Sequence, residues 1–421
     1  MKVKQAFCLS PDKLLEHLYR QQTGQMLAWL TGLLRDLSVA EEIWHDSLAL
    51  ALKSWPKDLP DNPGGWLRVT ARHLAIDRLR HQQVSLAKSR LIQALAIQDD
   101  QSEAFDAHPF NDELLKLIFT CCHPAIAYEN RLALTLYAVC GLTTRQIANA
   151  LLLSTSSLEQ RLTRAKSKLK SAGIGFVIPQ QKQLPERLDA VLKVIYLLFT
   201  SGYQQEWHEA QDEVDLAAEA LRLGNLVLEM LPEQTECMGL VSLMEFNLAR
   251  RNARADKQGN PVLLQEQDRS LWDRNLIEQA DARLEQALRM KKPGSYQLQA
   301  AIAGVHCLAQ SAEQTDWLQI NALYSLLMQY DGNPVIAINA AVALAMLAGE
   351  EKGLAKLNAL QKHDEIAHYA LLYSAKAELY RRAGDPEQAR IEYEKALART
   401  ENSREQSFYL QRLAGLIGKL L

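Results

Sequence analysis

Residues 142–170 read LTTRQIANALLLSTSSLEQRLTRAKSKLK and contain two candidate helices separated by a short turn. Thr143 can cap the first helix, and Ser154 can cap the second, because a hydroxyl oxygen accepts a hydrogen bond from an N–H group of the first turn. In the second helix, Leu158 and Leu162 recur at the spacing of an amphipathic helix. The pattern predicts a helix-turn-helix motif.

The second helix of this motif carries candidate DNA contacts. In such a motif the start of the second helix lies in the major groove beside the base edges, and basic residues further along meet phosphates. The predicted base-reading residues are Thr155, Ser156, Ser157, Gln160 and Arg161, and the predicted phosphate contacts are Arg164, Lys166 and Lys168. Short helix pairs are also common as plain packing units. The basic run at 161–170, which contains no acid, favours DNA binding.

The composition favours a chain built from helices. Apolar residues make up 48% of the 421 residues and charged residues 23%, while 19 glycines and 13 prolines are few for this length. The net charge of −3 hides an uneven distribution, since residues 1–180 hold 21 basic and 17 acidic residues and the remainder is acidic. We predict an all-α protein with a basic N-terminal part.

The sequence also predicts a cytoplasmic location. No secretory signal opens the chain, and the longest apolar stretch, at 335–349, falls short of the roughly 20 residues of a membrane span. The six cysteines show no regular framework, which is typical of a reducing compartment. We therefore expect no membrane association.

A further helix is predicted at 66–80, WLRVTARHLAIDRLR, and its arginines border its apolar residues. At one hundred degrees per residue, Leu67, Ala71 and Leu74 lie on one stripe, and Arg68 and Arg72 lie on the stripe beside it. Such a helix can be partly buried with its arginines paired to acids, or it can present a basic surface. The rest of the chain decides between these two interpretations.

Four segments are predicted along the chain. They are a helical block at 10–83, an acidic linker at 84–112, a second helical block at 113–175 and a helical repeat domain at 184–421. The repeat pattern is clearest at 369–400, and the turn glycines Gly349 and Gly384 lie 35 residues apart, close to the period of a tetratricopeptide repeat. Such arrays usually bind proteins, although a purely structural helical domain is the alternative.

The two blocks, taken in order, resemble regions two and four of bacterial RNA polymerase sigma factors of the extracytoplasmic-function group. The stretches that carry the resemblance are AEEIWHDSLALALKSW at 40–55, the helix at 66–80 with its AIDRLR ending, and residues 141–169. The resemblance implies two small helical sigma domains that bind core RNA polymerase and promoter DNA. Residues 164–179 and 187–203 further resemble the junction in a subgroup with a C-terminal tetratricopeptide-like extension.

The resemblance also implies roles for particular residues. Glu41, Glu42, His45 and Asp46 would contact core polymerase, and Trp66, Arg68, Arg72 and Arg78 would bind the minus-ten element. Arginines at the border of an apolar core can contact the phosphates of a DNA strand as it melts. Region four would bind the minus-thirty-five element as duplex DNA. In relatives the linker between the two domains lies in the RNA exit path. The resemblance therefore places four linker acids there: Asp99, Asp100, Glu103 and Asp106.

The sequence departs from the group's pattern at three places. His45 stands where glutamine is usual at the clamp contact, and Glu159 stands where many relatives have a lysine. Thr200-Ser201 replaces an asparagine-glutamate pair. The repeat domain is expected to regulate the sigma domains and to bind a protein or a ligand.

Catalysis is not predicted. The CCHP stretch at 121–124, with two adjacent cysteines and one histidine, lacks the ligand spacing of a zinc site. No phosphate-binding loop or nucleophile-base motif is evident. We expect no metal, no cofactor and no enzyme activity. Two other functions stay open: a helix-turn-helix regulator that works without polymerase, recognisable by dimerisation on a palindromic site, and a repeat scaffold.

Overall fold

A computed structural model describes residues 11–81, 107–151, 153–180, 182–205, 215–256, 260–400 and 403–420. Over these residues the chain is helical, apart from turns and one isolated antiparallel bridge between Ala255 and Pro261. The predicted all-α class is confirmed. The chain divides into two compact units, residues 1–230 and residues 231–421.

The first unit contains nine of the described helices. They are α1 (Pro11–Leu34), α2 (Leu37–Ser54), α3 (Pro63–His81), α4 (Ala107–Cys121), α5 (Tyr128–Ala138), α6 (Thr144–Ala150), α7 (Thr155–Ser171), α8 (Leu184–Gln205) and α9 (Leu216–Met230). The acids predicted to line the RNA exit path lie outside the described residues.

Helices α1 to α3 form the first helical block. The Asp36 carboxylate accepts hydrogen bonds from the backbone N–H groups of Ser38 and Val39, which caps the start of α2. The indole of Trp44 is fully buried and donates to the Thr23 hydroxyl of α1 at 3.0 Å. A buried polar group without a partner would be costly, so this bond fixes how α2 lies on α1.

Helix α3 buries the stripe of Leu67, Ala71, Ala75 and Leu79. Leu74, which the periodicity places with Leu67 and Ala71, is only half-buried. This stripe of two leucines and two alanines is buried where α3 packs on α1 and α2.

The first and second helical blocks pack directly on each other, mainly through α1 and α4. At Gly24 of α1, an added Cβ atom would lie 2.2 Å from the carbonyl oxygen of Val139, directly after α5. No side chain fits at that separation, so glycine is required for the two blocks to approach this closely.

Helices α8 and α9 pack against each other and against α4 within the same unit. At Gly202 of α8, an added Cβ atom would lie 2.4 Å from the backbone nitrogen of Ala217 in α9. The predicted domain bounds at 10–83, 84–112, 113–175 and 184–421 stay a prediction, because the division into two compact units does not test where each functional domain begins.

The second unit is an array of packed helices. They are α10 (Thr235–Ala249), α11 (Arg274–Arg289), α12 (Ser295–Leu308), α13 (Trp317–Tyr330), α14 (Pro334–Ala348), α15 (Glu350–Leu360), α16 (Asp364–Ala367), α17 (Ala370–Arg382), α18 (Pro386–Leu397) and α19 (Ser403–Leu420). Consecutive helices of this array pack as pairs, most extensively α17 with α18.

The two turn glycines lie in the left-handed region of backbone space. Gly349 has φ of 98° between α14 and α15, and Gly384 has φ of 78° between α17 and α18. These values favour glycine over any residue with a side chain. After the second turn, Asp385 caps α18, whose Ala389 and Tyr393 are fully buried. The tetratricopeptide assignment stays a prediction, supported here by the turns and by the small-large packing.

A buried ion pair joins α17 to α18. The Lys376 ammonium lies 3.2 Å from the Glu392 carboxylate, and the two side chains are only 6% and 4% exposed. Glu392 also pairs with Lys395 at 2.8 Å. Removing one partner of a buried ion pair leaves the other charge buried and unpaired, whereas replacing both partners by apolar residues leaves no buried charge.

Replacing Glu392 by Met, which leaves the buried Lys376 ammonium without its carboxylate, should therefore lower the free energy of unfolding by about 3 kcal/mol. The double change Lys376→Met with Glu392→Met should lose much less. Arg390→Ala, which breaks an exposed pair on the same helix, is the matched control and should change stability by no more than about 0.5 kcal/mol. Urea denaturation followed by circular dichroism gives all three values, and equal losses for the single and double variants would contradict this account.

Candidate nucleic-acid interface

Helix α6 begins with a reciprocal cap. The Gln146 backbone N–H donates to the Thr143 hydroxyl oxygen at 3.3 Å, and the Thr143 backbone N–H donates to the Gln146 side-chain oxygen at 3.0 Å. This is the capping box expected where a Thr is followed three residues later by Gln. The first helix of the predicted motif therefore starts where the sequence places it.

Helix α7 is also fixed at its start by a local signal. The Ser154 hydroxyl accepts a hydrogen bond from the Ser157 backbone N–H at 3.2 Å. The helix then buries one side of itself through Leu158, Leu162, Ala165 and Leu169. Since α5 and α6 pack on this buried side, the opposite side of α7 faces solvent.

The solvent-facing side of α7 collects most of the predicted DNA contacts. Its exposed residues include Thr155, Ser156, Ser157, Gln160, Arg164 and Lys168, whereas Arg161 is half-buried at the edge. Hydroxyl and amide groups lie at the start of the helix and cations lie further along, which is the order that base reading followed by phosphate contact requires. Glu159 is exposed on the same helix and adds one negative charge there.

Lys166 is placed differently from the other predicted phosphate contacts. Its ammonium lies 2.5 Å from the Glu41 carboxylate of α2, and its side chain is only 22% exposed. It also lies 4.8 Å from the ring centre of Tyr137, a cation–π distance. Two residues predicted for separate sites, one on DNA and one on polymerase, are thus paired with each other.

The predicted polymerase contacts lie on α2. Glu42, His45 and Asp46 lie on its outer side, where His45 and Asp46 are exposed, whereas the Glu41 side chain is only 14% exposed. Glu42 lies 3.6 Å from Arg78 of α3, with both side chains more than half exposed. An exposed pair of this kind contributes little to stability, so both groups can bind other partners.

The predicted minus-ten residues lie on α3 in different environments. Arg78 is exposed, Arg68 and Trp66 are half-buried, and Arg72 is only 7% exposed. The ring of Trp66 packs edge-on against Trp55, with the centroids 5.8 Å apart. Arg72 lies within the core, and it would have to turn outward to reach a phosphate.

Tyr137 is a residue of this region that the sequence analysis missed. It is 8% exposed, and its hydroxyl donates a hydrogen bond to Glu41. Burial, together with the neighbouring Glu41 charge, raises the pKa of Tyr137 well above its usual range, so the hydroxyl stays protonated and acts as a donor. No local signal marks this residue, because its partner lies 96 positions away in sequence.

The CCHP stretch forms the end of α4 and the turn after it. Cys121 and Cys122 are buried, and the Cys122 sulfur lies 3.5 Å from the Thr135 hydroxyl. The His123 Nδ1 atom accepts a hydrogen bond from the Ala125 backbone N–H at 3.0 Å. Within the described ranges no three His, Cys, Asp or Glu side chains are grouped to hold a metal ion.

Comparison with known proteins identifies the class to which this interface belongs. Residues 116–169, which include the helix-turn-helix, match the family described as Sigma-70, region 4. Residues 187–288 match a family of unknown function (DUF6596), and this match extends across the division between the two units. The chain therefore carries a sigma-factor-like DNA-binding domain, which is a transcription-factor domain rather than an enzyme domain.

The comparison also shows the family of the whole chain. An uncharacterized protein of Rhizobium meliloti (strain 1021) is 36% identical over 393 residues, which span 92% of each chain. The chain belongs to the family of that protein. In the described part of the chain, no helix is long and apolar enough to cross a membrane.

Replacing Arg164 and Lys168 together by Ala should weaken binding to duplex DNA and reduce its salt dependence. The slope of log K against log salt falls by about 0.9 for each phosphate that the protein no longer neutralises, so two such phosphates give a change of about 1.8. Fluorescence anisotropy with a labelled duplex at several salt concentrations measures it.

Lys193→Ala removes an exposed cation from α8, where the Lys193 side chain is 63% exposed. It is the control and should leave the salt slope unchanged. If the double variant keeps the original slope, Arg164 and Lys168 do not contact phosphates.

Proposed function

We propose that this protein is a sigma factor of the extracytoplasmic-function group that binds core RNA polymerase and directs initiation at specific promoters. The observation that carries the proposal is the exposed side of α7, where hydroxyl and amide groups precede Arg164 and Lys168. Residues 155–169 of this helix lie inside the range that matches sigma-70 region 4. In this role α7 reads the minus-thirty-five duplex.

The first helical block supplies the other two contacts of a sigma factor. The acidic side of α2, with Glu42 and Asp46, suits a basic surface on the polymerase, because opposite charge speeds docking and selects the partner. Arg78 on α3 lies beside it and suits the phosphates of the melted strand. The loop between Trp55 and Trp66 holds an unstacked base of the minus-ten element.

The C-terminal repeats regulate the sigma domains in this proposal. Residues after 180 carry 26 basic and 33 acidic residues, so this part of the chain is acidic while the DNA-binding part is basic. Helical arrays offer extended surfaces for a protein or a ligand. Because the protein acts on transcription, its place is the cytoplasm of the bacterial cell.

Binding to core polymerase is the first measurement to make. The full chain, labelled with a fluorophore, should bind sigma-free core polymerase, and the housekeeping sigma factor should displace it. A chain that fails to bind core but protects a palindromic DNA site as a dimer would instead be a regulator that works without polymerase.

Transcription from fragmented genomic DNA tests initiation itself. Core polymerase with this chain should produce transcripts whose upstream sequences share two elements, near minus ten and minus thirty-five. Core polymerase alone is the control. Transcript starts that share no upstream element in the presence of the chain would contradict promoter recognition.

Reversing charge on the outer side of α2 tests the polymerase contact. Glu42→Lys together with Asp46→Lys should weaken core binding by about tenfold or more, since facing like charges repel. Glu285→Lys, at a site 64% exposed on α11, is the matched control and should bind core as the unchanged chain does. Equal affinities for the two variants would remove α2 from the polymerase interface.

A further inference from the structure

An extended segment crosses the helical array of the second unit. Residues 260–268, NPVLLQEQD, lie between α10 and α11, and we call them the strap. Before the middle of the strap, Pro261 forms a bridge with Ala255, and after its end the indole of Trp272 is buried. The strap is therefore anchored on both sides, and its middle passes over other helices of the array.

The middle of the strap follows one face of the array. The Gln265 side-chain nitrogen lies 3.5 Å from the Met346 sulfur of α14, and its oxygen accepts a hydrogen bond from Arg382 of α17 at 3.0 Å. Glu266 lies between α17 and α19. Helices α14 and α17 are the first members of the pairs α14–α15 and α17–α18, and α19 follows them in the array. The strap thus runs along the face that these first helices form.

Two arginines of this face hold the Glu266 carboxylate. It lies 2.7 Å from Arg412 and 3.8 Å from Arg381. Both guanidinium groups also pair with Glu378 of α17, at 3.2 Å and 2.8 Å. One acid of the array therefore serves two cations, and the strap supplies the second carboxylate. The Glu266 side chain is 43% exposed, so this carboxylate lies at the surface and can be exchanged for another.

A cavity of about 490 Å³ opens beside this carboxylate. Its walls include Glu266, Arg381 and Arg412, together with the apolar side chains of Phe408 and Leu416. The Arg412 guanidinium lies 5.0 Å from the centre of the Phe408 ring, a cation–π distance. A concave site of this size, with a few charged groups on apolar walls, is typical of ligand binding. Room for more than the strap is therefore present in the closed arrangement.

The strap also makes an apolar contact on the same face. Leu263, three residues before Glu266, packs against the buried cluster of α14, α15, α17, α18 and α19. Over four residues the strap thus offers a leucine, an amide and a carboxylate, and each group is met by a different part of the array. Arrays of paired helices bind extended chains on such a surface.

We propose that this face binds an extended acidic segment of a partner protein, one that places a leucine three residues before an acid, and that the strap occupies the site until the partner arrives. A competitor on the same chain acts at an effective concentration on the order of millimolar. The partner must therefore displace the strap. That this partner controls the sigma domains rests on the proposed function, whereas the binding site does not.

A fluorescent peptide that copies the strap, NPVLLQEQD, is the probe for the site. Glu266→Gln in the full chain weakens the hold of the strap on Arg381 and Arg412, so the peptide should bind this variant about tenfold more tightly than it binds the unchanged chain. Fluorescence anisotropy measures both affinities. Glu285→Gln, which removes an exposed acid paired with Arg289 on α11, is the matched control and should leave the affinity unchanged.

The carboxylate itself is tested by changing the peptide. The peptide NPVLLQQQD should bind the Glu266→Gln chain at least tenfold more weakly than NPVLLQEQD does, because it offers the arginines no charge. Adding Arg412→Gln to that chain should lower the affinity for NPVLLQEQD by a similar factor, whereas adding Arg289→Gln should not. The comparison of the two peptides alters no residue of the site, so it decides the matter even if Arg412→Gln fails to fold.

Two results would overturn the inference. One is equal affinity for the two peptides, and the other is a Glu266→Gln chain that melts at a lower temperature yet binds the peptide no better, which would mean that the strap only seals the array. Neither polymerase nor DNA enters these measurements. A failure of core binding would therefore count against the proposed function alone, and a failure of peptide binding would count against this site alone.

Discussion

The close approach of α1 to the end of α5 is the constraint on which the first unit depends. With a hydrogen atom in place of a side chain, Gly24 lets α1 lie against the carbonyl oxygen of Val139. Because α2 is anchored on α1 through the Trp44 to Thr23 hydrogen bond, this approach also carries α2 toward α7. The Glu41 to Lys166 pair is a consequence of that geometry. A larger residue at position 24 would separate the two blocks and leave both charges in water.

The features that could be predicted from the sequence are those set by nearby residues. The caps at Thr143 and Ser154 involve partners three positions away, and both form as the pattern indicates. The positive φ of Gly384 is likewise a property of one turn. On α3 the helical periodicity predicted the buried side less well. It placed Leu74 on the same stripe as Leu67 and Ala71, but Leu74 is only half-buried and Ala75 is buried instead. A small residue such as Ala75 can pack closer to a neighbouring helix than a leucine can.

The features that could not be predicted depend on which distant segments meet. Lys166 belongs to a basic run in the sequence, and Glu41 belongs to an acidic stretch with Glu42 and Asp46, so each resembles a surface residue. Only the packing of α2 near α7 removes both from solvent. Arg72 shows the same limit, since a residue at the border of an apolar stripe turns inward or outward according to the helix packed on that border. Of the candidate surface on α7, therefore, the polar start could be predicted, and the orientation of Lys166 could not.

The Glu41 to Lys166 pair also bears on the surfaces that the proposed function assigns to these two residues. Both side chains are shielded from solvent, and leaving either charge unpaired at low exposure would be expensive, so the chain gains by pairing them with each other. To contact polymerase, Glu41 would have to give up this pair, and so would Lys166 to contact a phosphate. The exposed residues are therefore better placed for those contacts: Glu42 and Asp46 on α2, and Arg164 and Lys168 on α7.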